Sequence, residues 1–212
     1  MNEVRRNGFD RIAPVYDQMV RLFYGNQIQE SQTYFLPLIP PQAKVLVMGG
    51  GTGWIIKEIL NAQPTCRIWD IDISKAMLAL AKKANPRRQH VTYILGTSAN
   101  VPSEKFDVII MPFFLDLFSM GSLKETLLSI LSSTTSSTCW LITDFVDHGK
   151  WWERIMLKAM YWFFHVTCSI EAPNLPSWHI LLESLDFKLQ KSQLFYRGFI
   201  ESHIYLRSQD SE

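Results

Sequence analysis

Four glycines crowd into five residues in the run Val45-Leu46-Val47-Met48-Gly49-Gly50-Gly51-Thr52-Gly53. They separate a short apolar stretch from a helical segment that starts at Trp54. Glycines so placed let the backbone turn sharply and approach a ligand closely. The helix start then presents unpaired N–H groups to that ligand. Two nucleotide-binding loops fail on spacing. A P-loop requires Gly-Lys-Ser/Thr after its glycines, and Trp54 stands in the lysine's place. The dinucleotide fingerprint GxGxxG, counted from Gly49 and Gly51, would again need a glycine at Trp54. What remains is Gly49-x-Gly51-x-Gly53, with Gly50 between.

Acid–base chemistry has two candidates. His148 follows Asp144-Phe145 at the end of an apolar run, and Asp116 follows another such run. Both would fall on the carboxyl edge of an open α/β sheet, where such sheets bind ligands. Each has a structural alternative: His148 as the lead-in to the next helix, Asp116 as a solvated loop acid. His165, His179 and His203 lie inside regular segments and read as structural. Cys66, Cys139 and Cys168 form no CxxC pair, so neither a zinc site nor a disulfide framework is expected, and no metal.

The elements that must position these residues follow from hydrophobic periodicity. Residues 1–36 are helical in tone, with apolar Val20, Phe23, Tyr24, Ile28 and Phe35, and Pro37, Pro40 and Pro41 close the segment. Runs at 44–48, 67–71, 91–95, 106–111 and 139–144 are short and apolar, as strands of a buried parallel sheet are. Helical stretches at 54–61, 74–84 and 123–131 alternate with them, with Ile55, Ile56, Ile59 and Leu60 facing inward and Ser74 as an N-cap. Then the rhythm breaks. Residues 151–166 and 177–185 are helices, and strands 188–195 and 199–207 flank Tyr196-Arg197-Gly198, which makes them antiparallel. In the first of these helices Trp152, Ile155, Met156, Ala159, Met160 and Phe163 form one apolar stripe. Glu153, Arg154, Lys158 and His165 lie opposite, interrupted by Leu157 and Tyr161.

On these residues the chain resembles class I S-adenosylmethionine (SAM) methyltransferases, whose first motif reads roughly VLDxGxGTG against VLVMGGGTG here. The resemblance covers most of the chain. Asp72 lies about 20 residues after the loop, where an acid accepts from both ribose hydroxyls, as in dinucleotide enzymes. Ile73 would lie against the adenine, with Met77 nearby. Gly96-Thr97-Ser98-Ala99-Asn100-Val101-Pro102 aligns with the family's GDAxxLP, and Phe106-Asp107-Val108-Ile109-Ile110 with its fourth strand, which runs on into Met111. Phe9 to Asp17 is similar to the opening of the ubiquinone/menaquinone C-methyltransferase branch, where the aromatic of the Tyr-Asp pair closes over the cofactor; Tyr16 holds that place. The resemblance implies a Rossmann-like three-layer sandwich: a mostly parallel seven-stranded sheet closed by a C-terminal antiparallel hairpin. It also implies SAM as cofactor, held by Tyr16, Gly49, Gly50, Gly51, Gly53, Asp72, Ile73, Met77, Thr97, Ser98 and Met111. Two positions depart from the pattern. Val47 replaces the acid that orients the loop or reaches the methionine moiety, and Thr97 replaces the acid that accepts from the adenine amino group. Thr97 still offers one acceptor, at a cost of about 1 kcal/mol.

Composition sets the frame. The 212 residues suit one domain, with a helical cap over 1–40 and a helical insertion or lid over 148–185. Lys plus Arg is 21 against 20 Asp plus Glu, and the Lys82-Lys83 and Arg87-Arg88 pairs read as a solvated helix end, so no nucleic-acid partner is expected. No secretory signal and no membrane span is visible, which leaves a cytoplasmic protein. An NPPY-type amino-methylation motif is absent, and the fourth strand continues Met111-Pro112-Phe113-Phe114-Leu115, an apolar wall. The acceptor expected is small and apolar or aromatic, methylated on O or C, with the 151–166 helix available to line its pocket or touch a membrane surface. The alternative from another class is a non-catalytic binding or regulatory protein on the same fold with weak or lost SAM binding, for which Val47 and Thr97 speak. A nicotinamide oxidoreductase is disfavoured by the failed GxGxxG.

Overall fold

A computed structural model describes residues 3–85, 88–168 and 170–208. Arg87 of the basic pair lies outside the described residues, as do the side chains of Asp17 and Arg88. Three helices lead the chain: α1 (Glu3–Ile12), α2 (Tyr16–Tyr24) and α3 (Gln27–Thr33). Alternation follows through β1 (Lys44–Met48), α4 (Trp54–Ala62), β2 (Arg67–Asp72), α5 (Lys75–Ala84), β3 (Val91–Leu95), β4 (Val108–Pro112), α6 (Met120–Leu131) and β5 (Cys139–Phe145). The chain ends with α7 (Trp151–Cys168), α8 (Trp178–Ser184), β6 (Phe187–Phe195) and β7 (Ile200–Arg207).

The seven strands form one sheet in the order β3-β2-β1-β4-β5-β7-β6. The first five are mutually parallel; β7 runs antiparallel to β5, and β6 antiparallel to β7. The terminal hairpin expected from the sequence is present. Its turn needs left-handed backbone at Tyr196, Arg197 and Gly198.

Why β1 reads as an unbroken apolar run is plain from its two faces. Val45 and Val47 pack with Ile55, Ile56, Ile59 and Leu60 of α4, while Leu46 and Met48 pack on the other side with Leu123, Leu127 and Ile130 of α6. Successive side chains alternate faces, so a strand covered on both sides has no polar position to spare. Each such aliphatic side chain contributes about 1.5–3 kcal/mol on burial. A third cluster gathers α1, α2 and α7 against Phe145 and Phe199.

The strand order reverses between β1 and β4. At such a switch point the loops leaving the carboxyl ends diverge and leave a crevice. The glycine loop after β1 and the aromatic segment after β4 border it.

The inner face of α7 departs from the expected stripe. Glu153, Leu157, Met160, Tyr161 and Cys168 are buried, whereas Ile155 and Ala159 are exposed. The cause is that two polar groups bring their own partners into the core. Glu153 accepts from the backbone N–H groups of His148 (2.9 Å) and Lys150 (3.4 Å) and from Lys150 Nζ (2.9 Å). Such a reach back across the first turn is the carboxylate half of a capping box. Tyr161 donates its hydroxyl to the Asp116 carbonyl at 3.0 Å. Satisfied polar groups bury at little cost, so hydrophobicity alone misplaced the helix face.

Candidate active site

A cavity of about 570 Å³ opens at the switch point. It is lined by Gly49, Gly50, Gly51 and Thr52, by Asp72, Ile73 and Met77, and by Thr97, Ser98 and Ala99. The remaining wall is largely apolar: Phe9, Tyr16, Val20 and Tyr24 from the leading helices, Phe113 and Phe114 after β4, and Phe145, Met160 and Phe164. Asp116 and Glu171 add carboxylates.

The glycine loop is shaped by steric need. Gly49, Gly51 and Gly53 all have left-handed φ, at 75°, 58° and 84°, where a side chain costs energy. Their surroundings differ. A Cβ on Gly51 would meet nothing within 4 Å, so the position is open beside the cavity. A Cβ on Gly53 would stand 2.5 Å from the Ala81 Cα. Gly53 thus lets α4 and α5 pack, and it does not line the cavity.

Two aspartates of β2 hold this loop. Asp72 Oδ2 accepts the Gly51 N–H at 3.2 Å and its Oδ1 the Ser74 N–H at 2.8 Å. Burial raises its pKa to about 6; the two backbone bonds oppose the rise and the charge of Asp10 adds to it. Asp70, which the sequence reading did not single out, accepts the Gly50 N–H through Oδ1 at 3.2 Å. It lies in register with Val47 on the neighbouring strand. The carboxylate missing from position 47 is therefore supplied to the loop from one strand over. Burial, then the nearby Asp72, pushes its pKa well above the ordinary range, and its Oδ2 has no partner among the described residues.

The leading helices are tied to the same edge. Asp10 accepts from Ser74 Oγ and from the Ala76 N–H at 2.9 Å, and Ser74 Oγ caps α5 by accepting from Met77 N at 3.0 Å. These bonds draw α1 against the start of α5, beside Asp72. Thr97 acts as an N-cap, its hydroxyl accepting from Ala99 N at 3.2 Å while Asn100 Oδ1 accepts its own N–H at 3.0 Å.

Across the cavity, Asp116 is buried against a second carboxylate. Asp144 Oδ2 accepts the N–H groups of Leu115 (2.8 Å) and Asp116 (3.3 Å), and its Oδ1 that of Phe145 (2.8 Å). With three backbone donors, Asp144 is the better placed of the two to carry charge. The pKa of Asp116 is driven upward by burial and by Asp144, and its Oδ1 has no partner among the described residues. Beside it Phe113 holds φ at 50°, a left-handed backbone that an aromatic residue rarely adopts, and its ring lies 4.9 Å from that of Phe145. Strain of this sort collects where a side chain must be aimed.

Of the residues expected to hold a cofactor, Tyr16, Gly49, Gly50, Gly51, Asp72, Ile73, Met77, Thr97 and Ser98 come together on the cavity, and Gly53 and Met111 do not. Met111 is fully buried among residues of α6 and α8, because strand alternation turns it to that face with Ile109. His148 also lies off the cavity. Its Nε2 is engaged by Glu201 Oε1 at 2.9 Å and the Gly198 carbonyl at 3.1 Å. Asp70, Asp144 and Asp10 were missed. A sequence signal existed for the first two, since each is an acid inside an apolar strand, where an ionisable group is rare without a purpose.

Residues 45–135 match the family described as Methyltransferase domain. Among curated proteins, malonyl-[acyl-carrier protein] O-methyltransferase of Halalkalibacterium halodurans is 35% identical over 71 residues, 31% of this chain and 26% of that one. The match thus spans about a quarter of the relative's length. Among solved structures, the complex between the Haloferax volcanii Trm112 methyltransferase activator and the putative methyltransferase gives a TM-score of 0.76 at 12% identity, covering 98% and 99% of the two chains. The DhpI complex with S-adenosylhomocysteine (SAH) gives 0.71 at 13%, covering 98% and 97%. These likenesses establish the fold.

Proposed function

We propose that this chain, which has the class I methyltransferase fold and carries a methyltransferase domain over residues 45–135, transfers a methyl group from SAM to a small apolar or aromatic acceptor. One observation carries the reading. A glycine loop anchored by two aspartates and an aromatic chamber containing a buried carboxyl face the same cavity.

The residues fit the cofactor. Asp72 keeps lone pairs for a ribose diol, Ile73 and Met77 offer apolar contact for a purine, and the open space at Gly51 admits the chain between nucleoside and amino acid. Thr97 and Ser98 line the cavity and would offer hydroxyls to the purine, and Tyr16 would close the site from α2. The bound cofactor supplies an electrophilic methyl on a sulfonium. The chain then has to align the acceptor and exclude water, which the ring wall of Phe113, Phe114, Phe145 and Phe164 does. Where the acceptor is a hydroxyl or an acidic carbon, Asp116, which lines the cavity, would take its proton in the state in which Asp116 and not Asp144 is ionised. Burial and the charge of Asp144 raise its pKa, and a carboxylate of raised pKa is, once ionised, a stronger base than a solvated one.

The outer side of α7 fits an anionic membrane surface. Trp151, Ile155, Trp162 and Val166 are 58–75% exposed along one helical face. Lys150, Arg154 and Lys158 accompany them, and the helix's one acid, Glu153, is buried. Tryptophan with cations and no exposed acid is the make-up of an interfacial helix. No helix among the described residues is long and apolar enough to cross a membrane. The three cysteines are free thiols, which suits a reducing cytoplasm.

Incubating the protein with SAM and a panel of hydrophobic phenols, quinols and carboxylic acids tests the reading by mass spectrometry. A product one methyl heavier than its acceptor, lost in Asp72→Ala, is expected. SAH binding without turnover, or no binding at all, would favour the non-catalytic alternative. For the membrane face, cosedimentation with phosphatidylserine vesicles and loss of binding in Trp151→Ser/Trp162→Ser are expected. No difference from phosphatidylcholine vesicles would contradict it.

A further inference from the structure

Outside the cavity, β7 and α8 bring together a cluster that the reaction above does not use. Glu201 and His203 are two residues apart on β7 and so project from one face. They are 7% and 3% exposed. His203 Nε2 lies 2.7 Å from Glu201 Oε2, and the other carboxylate oxygen is held by His148 Nε2 at 2.9 Å. His179, from the first turn of α8, faces them with its ring 5.0 Å from that of His203, and its Nδ1 is 3.1 Å from the Tyr205 hydroxyl. His179, Glu201 and His203 each offer one ligand atom such that all three lie within 4.8 Å of one another. None of them lines the cavity.

Hydrogen bonding does not fully account for this arrangement. Among the described residues, the buried His203 Nδ1 has no partner, and an unsatisfied buried ring nitrogen is costly. We propose that His179, Glu201 and His203 form a binding site for a divalent transition-metal ion, zinc by its donor set. Two imidazoles and a carboxylate with a further position open are a recurrent zinc arrangement. Metal bonds of about 2.0–2.2 Å place donors no more than about 4.4 Å apart, so closing from 4.8 Å takes a small side-chain movement. His148, bonded to the far oxygen of Glu201, orients the carboxylate as ligand-supporting groups do. An ion here would clamp α8 to the terminal hairpin, and the site is independent of the methyl-transfer reading.

The test uses untagged full-length protein, stripped with chelator and then titrated with zinc against a chromophoric competitor, with cobalt as a spectroscopic substitute. One zinc per chain is expected, with visible d–d absorption of the cobalt form and a higher thermal midpoint. His179→Ala, at the half-buried ligand, should weaken zinc at least tenfold and abolish the cobalt spectrum. Glu201→Gln should do the same, and SAH affinity should hold in both variants. A wild-type chain that is folded by circular dichroism yet retains no zinc overturns the proposal. So does zinc affinity unchanged in His179→Ala.

Discussion

Asp70 and Val47 are register partners on adjacent parallel strands, and the Asp70 carboxyl accepts the backbone N–H of Gly50 at 3.2 Å. The loop is thereby held by an acid, though from β2 and not from β1. Asp70→Val should weaken SAH binding about tenfold, the scale of a lost hydrogen bond to a buried carboxyl. The double change Val47→Asp/Asp70→Val returns the acid to β1 and should recover part of that loss. Titration calorimetry of the three proteins measures both effects; an unaltered affinity in Asp70→Val would show that the loop does not depend on this bond.

Asp72 gives the site a pH dependence. Its pKa near 6 in the free protein lies above the ordinary carboxylate value, and ribose hydroxyls donate best to the ionised form. SAH affinity should therefore rise as pH climbs through about 6 and level off above it. Asp72→Asn should bind at least tenfold more weakly and show no rise. The stability sign runs the other way. With its folded pKa raised, Asp72 contributes stability at low pH that is lost as pH rises through about 6.

Asp116 separates binding from turnover. Asp116→Asn keeps the shape and removes the proton acceptor, so kcat on hydroxyl acceptors should fall by about 10²-fold or more with SAH affinity nearly unchanged. Both carboxyls of the Asp116–Asp144 pair are raised by burial. The ligand-free protein should therefore lose thermal stability as pH rises above the ordinary carboxylate range, and Asp116→Asn should flatten that fall. An equal loss of kcat on acceptors that need no deprotonation would assign Asp116 a positioning role only.

Gly51 and Gly53 should respond differently to alanine. Gly53→Ala meets the Ala81 Cα at 2.5 Å and should cost about 2–5 kcal/mol, through overpacking and left-handed strain. Gly51→Ala adds its methyl to open space, costing about 1–2 kcal/mol for φ alone, and should lose SAH affinity out of proportion to stability. Thermal melts paired with calorimetry distinguish the two.

How far these relationships were legible in the sequence follows from where each signal resides. Val45–Met48 and Val108–Met111 announce strands buried on both faces because every position there is apolar. The glycine loop and Asp72 are legible because a turn beside a ligand constrains residue type. The inward face of α7 was misread because Glu153 and Tyr161 are polar yet satisfied by His148, Lys150 and Asp116, partners that pattern alone does not reveal. Asp70 and Asp144 were within reach, since an acid inside an apolar strand marks a buried polar network. The pairing of His179 with Glu201 and His203 was not, because it depends on how α8 folds back onto β7.

The most direct test of the account is calorimetric titration of SAH into the wild-type protein and Asp72→Ala at neutral pH. The account predicts one site per chain with affinity in the micromolar range or tighter, and at least tenfold weaker binding in a folded Asp72→Ala. Absence of binding by folded wild-type protein at millimolar SAH, or equal affinity in the two proteins, would contradict it.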